Sequence, residues 1–255
     1  MQGYDILIKM TISRDPLIVA LDIPTLQGAR QWVNRLYPEV GQFKIGSQLF
    51  TACGPKAVEM VQKKGARVFL DLKWHDIPNT VANACREAVK MGVWMCNVHA
   101  MGGREMLLAS MEAIAEQSRK EKKEPPYLVA VTVLTSMDVT ALKGIGIRKS
   151  VQNTVANLAK LSQRCGLDGV VCSGHELKTI RRICGKDFLT IVPGIQNPFE
   201  QVKQRDQKRI FTPAQAPAKS ANYLVMGRSV LNSSNPIQMI QRVRQEMSAG
   251  FLSNN

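Results

Sequence analysis

The chain has 255 residues, of which 45% are apolar and 5% aromatic, and this composition suits one large folded domain rather than a disordered or collagenous chain. No apolar run reaches the roughly 18 residues of a membrane helix, and the N-terminus lacks a secretory signal, so we expect a cytoplasmic protein without membrane contact. The net charge of +14 predicts attraction to anions. No cysteine pair has C-x-x-C spacing, so the sequence predicts no zinc cluster.

Short, almost continuously apolar runs alternate with amphipathic helical patterns along the whole chain, as expected for parallel strands buried on both faces. The predicted strands are residues 17–22, 42–45, 67–72, 95–99, 128–134, 169–172, 189–192 and 223–226. The predicted helices are residues 25–36, 55–64, 78–91, 103–117, 151–164, 175–183, 213–220 and 236–247. This order predicts an α/β fold, a single (β/α)₈ TIM barrel over residues 1–255, with residues 1–15 as a short N-terminal extension.

A doubly wound open sheet is the alternative architecture, although the glycine fingerprint of dinucleotide-binding folds is absent. Two connections, 135–150 and 194–211, are longer than usual and are candidate lids or tolerated insertions. In a barrel, the residues at the carboxyl ends of the strands carry the chemistry. Gly194, Gly227 and Arg228 follow the last two strands, where barrels commonly bind phosphate. They therefore predict a phosphorylated substrate, unless Arg228 only pairs with a surface carboxylate.

Charged residues concentrate at the end of the third strand. Asp71 and Lys73 are two apart and point the same way in an extended chain, Asp76 follows in the turn, and Lys44 lies on the neighbouring strand. Such an array favours protonated lysines. A charged ammonium group in a water-poor pocket is a proton donor for a carbanion and a poor Schiff-base nucleophile. A structural salt-bridge cluster is the alternative interpretation.

The segment DLKWHDIPNT, residues 71–80, resembles the signature of the orotidine 5′-phosphate decarboxylases of bacteria. Other stretches are similar to that family in the same order and cover the chain from about residue 16 to residue 247. They are VALDIP (19–24), FKIGSQLF (43–50), VTVLTSM (131–137), CGLDGVVCS (165–173), PGI (193–195), DQKRIFTP (206–213) and MGRS (226–229). The D-x-K-x-x-D element alone is shared with related barrels, whereas the full set is specific.

The resemblance implies conversion of orotidine monophosphate to uridine monophosphate and carbon dioxide, the last step of de novo pyrimidine synthesis, without metal or organic cofactor. It implies that Lys73 donates the proton to C6 of the pyrimidine and that Asp71 lies beside the substrate carboxylate. It also implies a homodimer with shared active sites, in which Asp76 and Thr80 complete the site of the other protomer.

The same resemblance assigns the remaining substrate contacts. Lys44 bridges Asp71 and the ribose, and Asp22 binds a ribose hydroxyl. Thr135 and Ser136 contact the base, and the phosphate is held by Gln207, Gly227 and Arg228. Gln196, a further expected substrate contact, stands where bacterial relatives usually have arginine, and Lys203 or Arg205 is available to supply the missing charge.

Two other functions stay open at this point. Related barrels with D-x-K-x-x-D are metal-dependent sugar-phosphate decarboxylases or aldolases, but they carry an acidic metal ligand at the end of the second strand, where this chain has Lys44. A basic nucleic-acid-binding module would fit the net charge and would show steep salt dependence. It would leave the carboxylates at the strand ends unexplained, and we expect no nucleic-acid partner.

Overall fold

A computed structural model describes residues 15–195 and 221–252. Eight parallel strands close into a barrel in which each strand pairs with its sequence neighbours and the first pairs with the last. The strands are β1 (Leu17–Ala20), β2 (Gln42–Gly46), β3 (Arg67–Trp74), β4 (Met95–His99), β5 (Tyr127–Val131), β6 (Gly169–Val171), β7 (Leu189–Pro193) and β8 (Tyr223–Met226). The predicted barrel is confirmed, and the alternative of an open doubly wound sheet is wrong.

Helices follow the strands around the outside of the barrel. They are α1 (Leu26–Leu36), α2 (Ser47–Cys53), α3 (Pro55–Gln62), α4 (Pro78–Lys90), α5 (Gly103–Glu121), α6 (Val139–Gly144), α7 (Val151–Arg164), α8 (Leu177–Cys184), α9 (Arg228–Leu231) and α10 (Pro236–Leu252). The short helices α2, α6 and α9 were not predicted, because each is too short to show a helical period. The helix predicted over residues 213–220 lies outside the described residues, and the single domain of residues 1–255 with an extension at 1–15 stays a prediction.

Local sequence signals set where the helices begin. The Thr25 hydroxyl accepts a hydrogen bond from the backbone N–H of Gly28, and the Ser150 hydroxyl accepts one from Asn153, which caps α1 and α7. Pro55 and Pro78 stand in the first turn of α3 and α4, where a missing N–H costs nothing. The chain is thereby directed back across the sheet after each strand.

Two apolar layers stabilise the barrel. The larger layer lies between strands and helices, and the smaller fills the barrel interior with side chains that include Ile18, Phe69, Met95 and Ile191. Because the strands are buried on both faces, their sequences are almost continuously apolar. Among the described residues, no helix is long and apolar enough to cross a membrane.

Aromatic side chains close the amino-terminal end of the barrel. The Trp94 ring meets Tyr127 and Tyr223 edge to face, with centroid separations of 6.1 and 5.2 Å. The Arg67 guanidinium lies over Trp94, 4.4 Å from the ring centroid. Because this end is filled, the barrel interior opens toward the carboxyl ends of the strands.

Candidate active site

A cavity of about 250 Å³ opens at the carboxyl ends of the strands. Its floor is the top of the apolar interior, formed by residues such as Phe69, Ile191 and Val225. Its rim carries the charged residues. The residues of its wall and rim include Asp22, Lys44, Asp71, Lys73, Thr135, Gly194, Gly227, Arg228 and Ser229. An apolar floor beneath a few converging polar groups is typical of a small-molecule site.

Four of these charged side chains form a continuous chain of alternating sign. The Lys44 Nζ lies 3.3 Å from Asp22 Oδ1 and 3.0 Å from Asp71 Oδ2. The Lys73 Nζ lies 2.7 Å from Asp71 Oδ1. The order across the site is therefore Asp22, Lys44, Asp71, Lys73, and the Asp71 carboxylate receives one ammonium group on each oxygen.

Burial changes along this chain of charges. The side chains of Asp71 and Lys44 are 9% and 12% exposed, whereas those of Lys73 and Asp22 are 34% and 50% exposed. The two central groups of this array, Lys44 and Asp71, are buried in the protein, whereas the two outer groups face the cavity and solvent. Lys73 is thus anchored through a buried partner while its ammonium group remains accessible to a bound molecule.

The charges of the two buried groups are stabilised by each other. Burial by itself raises the pKa of the Asp71 carboxyl, but Lys44, Lys73 and hydrogen bonds from Lys73 and Asn97 outweigh it, so the pKa lies below its ordinary value. Burial by itself lowers the pKa of Lys44, but Asp71 and Asp22 outweigh it, so this pKa is raised. Both groups therefore remain ionised at neutral pH.

An irregularity in β3 brings Asp71 and Lys73 together. Lys73 has a φ of 53°, in the left-handed region that non-glycine residues seldom adopt. Its backbone N–H donates to the Oδ1 atom of Asn97 at 2.8 Å, and the Nδ2 of Asn97 donates to Asp71 Oδ1 at 2.6 Å. The simple alternation assumed in the sequence analysis is therefore interrupted here, although both side chains do reach the same site.

Two glycines, Gly194 and Gly227, stand on the opposite side of the cavity at positions where a larger residue would be strained or crowded. Gly194 has a φ of 80°, and a Cβ atom on Gly227 would lie only 3.1 Å from Asp22 Oδ2 and 3.3 Å from the Cβ of Ala20. The Ser229 hydroxyl donates to the carbonyl of Ile195 at 3.4 Å, which ties the segments after β7 and β8 together. Arg228 lies at the same side of the cavity.

The predicted site residues fall into three groups. Those that line the cavity are Asp22, Lys44, Asp71, Lys73, Thr135, Gly227 and Arg228. Those that lie at the surface outside its lining are Asp76, Thr80 and Ser136. Gln196 and Gln207, together with Lys203 and Arg205, lie outside the described residues.

Asp76 does not join the charge array within one chain, contrary to the array drawn from the residues alone. Its side chain is exposed, and its Oδ1 accepts a hydrogen bond from the backbone N–H of Ile77 at 2.6 Å. Asp22 takes the fourth place in the array instead. The local hydrogen bond in the turn before α4 accompanies a carboxylate that lies at the surface of the protein.

Asn97 is the residue of this region that the sequence analysis missed. It is fully buried in β4 and contacts both Asp71 and Lys73. The available signal was a polar residue in the middle of an otherwise buried strand, MCNVH. Such a residue needs a hydrogen-bonding partner inside the protein.

No group of three or more His, Cys, Asp or Glu side chains suited to a metal ion occurs within residues 15–195 and 221–252. The Asp22 and Asp71 carboxylates do approach each other, but the Lys44 ammonium group lies between them. This lysine supplies the positive charge that a divalent cation would bring to two such carboxylates, and it would repel the cation.

Comparisons with known proteins find similar chains over nearly the whole length of this one. The sequence profile of the "Orotidine 5'-phosphate decarboxylase / HUMPS family" matches residues 15–243. The orotidine 5'-phosphate decarboxylase of Syntrophotalea carbinolica is 46% identical over 239 residues, 94% of this chain and 97% of the relative. That of Geobacter sp. (strain M21) is 47% identical over 234 residues, 92% of this chain and 96% of the relative. The crystal structure of orotidine 5'-phosphate decarboxylase from Lactobacillus acidophilus has a TM-score of 0.79 and 31% identity, covering 91% of this chain and 98% of that chain.

The pairing of Lys44 with Asp71 makes a testable contribution to stability. Asp71, whose pKa is lowered in the folded state, contributes stability above its unfolded pKa, and that contribution is lost as the pH falls through the folded pKa. Lys44→Met should lower the free energy of unfolding at pH 7 by about 3 kcal/mol, because it leaves a buried carboxylate short of a partner. The deficit should narrow as the pH falls toward 4, because Asp71 of the folded variant has lost the partner that most lowers its pKa and binds a proton at a higher pH than Asp71 of the folded wild type.

Urea denaturation of both proteins at pH 7 and pH 4 measures this difference. Lys63→Met is the matched control, since Lys63 is 80% exposed and lies 4.0 Å from Glu59, and the midpoint should not change. A Lys44→Met protein as stable as the wild type at pH 7 would show that the pair contributes nothing to the fold.

Proposed function

The chain belongs to the orotidine 5'-phosphate decarboxylase / HUMPS family, and on this premise we propose that it decarboxylates orotidine 5′-monophosphate to uridine 5′-monophosphate and carbon dioxide in pyrimidine biosynthesis. The observation that carries the proposal is the chain of charges Asp22, Lys44, Asp71 and Lys73 above an apolar floor. This arrangement holds a charged ammonium group at the cavity while its carboxylate partner stays buried.

The two sides of the cavity suit the two ends of the substrate. Arg228 and the backbone at Gly194 and Gly227 offer a fork of N–H donors and close access for a phosphate. Asp22 and Lys44 lie between that side and Lys73, where ribose hydroxyl groups would be bound. The pyrimidine then lies over the apolar floor with Thr135 at its edge. Phosphate binding far from the reacting carbon supplies binding energy for the chemical step.

Lys73 is the proton donor in the proposed reaction. The bond between C6 and the carboxylate carbon breaks, carbon dioxide leaves, and the electron pair stays on C6. The Lys73 ammonium group stabilises this negative charge as it develops and transfers a proton to C6, and solvent then reprotonates the amine. A donor already aligned by Asp71 at 2.7 Å needs little reorganisation during the step.

Asp71 has a second role besides alignment. Its ionised carboxylate lies beside the position of the substrate carboxylate, so the two negative charges repel each other until carbon dioxide leaves. The repulsion decreases in the transition state, because the substrate carboxylate loses its negative charge as carbon dioxide leaves. The neighbouring Lys44 keeps Asp71 ionised at neutral pH, so the repulsion operates under physiological conditions.

The shared active site, the cytoplasmic location and the lack of a cofactor stay predictions. The exposed side chains of Asp76 and Thr80 support sharing, since residues of one chain that serve its partner's site must lie at its own surface. Ile77, between them, is 65% exposed, as expected for a residue that a second copy would cover. We propose that two copies pair through this turn and complete each other's cavity with Asp76.

The decisive residue for the reaction is Lys73. Lys73→Ala should reduce the turnover of orotidine 5′-monophosphate by at least about 10⁴-fold. The variant lacks both the proton donor and the positive charge that stabilises the negative charge developing on C6. Ultraviolet absorbance of the substrate in excess chelator measures the rate, and Lys63→Ala is the matched control. Turnover by the wild type with chelator present argues against the metal-dependent sugar-phosphate enzymes of similar sequence. Retained activity in Lys73→Ala would remove Lys73 from the mechanism.

Sharing of active sites is tested by mixing two inactive proteins. Asp76→Asn damages the site of the partner, and Lys44→Ala damages the site of its own chain. In a mixed dimer one cavity therefore receives both defects and the other receives none. The mixture should recover up to about one quarter of the wild-type activity at equal concentrations, from random pairing of subunits. Mass-tagged subunits that exchange without any recovery of activity would contradict the shared site.

A further inference from the structure

The ladder between β3 and β4 is interrupted beside the charge array. Leu70 pairs with Cys96, and the next pair along the ladder is Trp74 with Val98. Asp71, Leu72 and Lys73 therefore lie opposite a single residue of β4, Asn97. A bulge of this kind leaves backbone groups of the longer strand without ladder partners and redirects its side chains.

The side chain of Asn97 supplies the contacts that the ladder lacks here. Its Oδ1 accepts the Lys73 backbone N–H at 2.8 Å, at the residue whose φ is 53°. Its Nδ2 donates to Asp71 Oδ1 at 2.6 Å, and that oxygen also receives the Lys73 ammonium group at 2.7 Å. One buried amide thus holds the backbone of Lys73 and the carboxylate that orients its side chain.

We propose that Asn97 is a positioning residue for the decarboxylation, which fixes Lys73 and Asp71 relative to each other through the bulge in β3. The proposal rests on the proposed function. Asn97 is fully buried and is not part of the cavity lining, so it acts through its two neighbours rather than on the substrate. Lys73 keeps an unfavourable backbone conformation because the surrounding contacts hold it there.

The chemistry of the two partners explains why an amide is needed. The Asp71 carboxylate only accepts hydrogen bonds, and the Lys73 backbone N–H only donates one. Asparagine carries one acceptor and one donor group on a short planar side chain, so a single orientation satisfies both neighbours. An aliphatic residue satisfies neither neighbour, and an ionised carboxylate satisfies only the N–H and repels Asp71.

The first test separates positioning from a general effect on stability. Asn97→Ala should reduce kcat by about 100-fold, as expected for a displacement of about 1 Å in a catalytic group, and change KM less than about threefold. Ser162→Ala is the matched control, because Ser162 is equally buried and its hydroxyl donates one hydrogen bond, to the Leu158 carbonyl at 2.8 Å, away from the cavity. Its kcat should stay at the wild-type value. Circular dichroism gives the folded fraction of each protein.

The second test uses Asn97→Asp, which preserves the size of the side chain, and circular dichroism at each pH gives its folded fraction. The introduced carboxyl group faces Asp71 directly, with Lys44 on β2, Lys73 on β3, Asp22 beyond Lys44 and His99 on β4 as the other charged or titratable groups nearby. When protonated, it again offers one donor to Asp71 and one acceptor to Lys73. The ratio of its kcat to the wild-type kcat should therefore rise at least about tenfold from pH 8 to pH 5.

These measurements distinguish the inference from the function on which it rests. A wild-type protein without turnover would overturn the proposed function and the inference together. Wild-type turnover with an Asn97→Ala kcat within threefold of it, after correction for the folded fraction, would overturn the inference alone. A ratio for Asn97→Asp that stays as low as that of Asn97→Ala from pH 8 to pH 5 would also overturn it, since a merely structural role does not depend on donation to Asp71.

Discussion

The ion pairs of Asp71 with Lys44 and Lys73 are the interaction on which the rest of the site depends. A buried carboxylate is costly unless opposite charges and hydrogen bonds compensate its desolvation. Here two ammonium groups at 3.0 and 2.7 Å and an amide at 2.6 Å do so. The compensation keeps Asp71 ionised and leaves one of the ammonium groups accessible to the cavity. The barrel contributes three adjacent strands, β2, β3 and β4, that bring these groups to one place.

The stability of this arrangement and its chemical use have opposite requirements. Replacing the charged groups by apolar side chains of similar size would relieve desolvation and give a conventional barrel core. The filled interior around Phe69 and Met95, closed at one end by Trp94, supplies the surplus stability that allows charges and a positive φ at the other end. The strain and the buried charges are thus confined to the carboxyl ends of the strands, where the cavity opens.

Much of the fold could be predicted from the sequence, because eight apolar runs and intervening amphipathic patterns allow few other architectures. The strands β4 and β8 match their predicted bounds, and the cavity does bring Asp22, Lys44, Asp71, Lys73 and Arg228 together. The bulge in β3 was not predictable, because it arises from side-chain contacts with Asn97 on another strand. The position of Asp76 outside the charge array of its own chain was also not predicted, since its local hydrogen bond to the Ile77 backbone leaves no trace in residue spacing. The roles of the individual site residues remain proposals.

The ionisation of Asp71 tests the central claim most directly. Carbon-13 NMR of the aspartate carboxyl groups, with Asp71→Asn used to assign the resonance, follows its protonation as the pH is lowered over the range in which the protein stays folded. Our account predicts that the Asp71 resonance remains that of a carboxylate below the ordinary aspartate pKa of about 3.9. Protonation at or above that value would mean that the two lysines do not hold the charge, and would contradict the account.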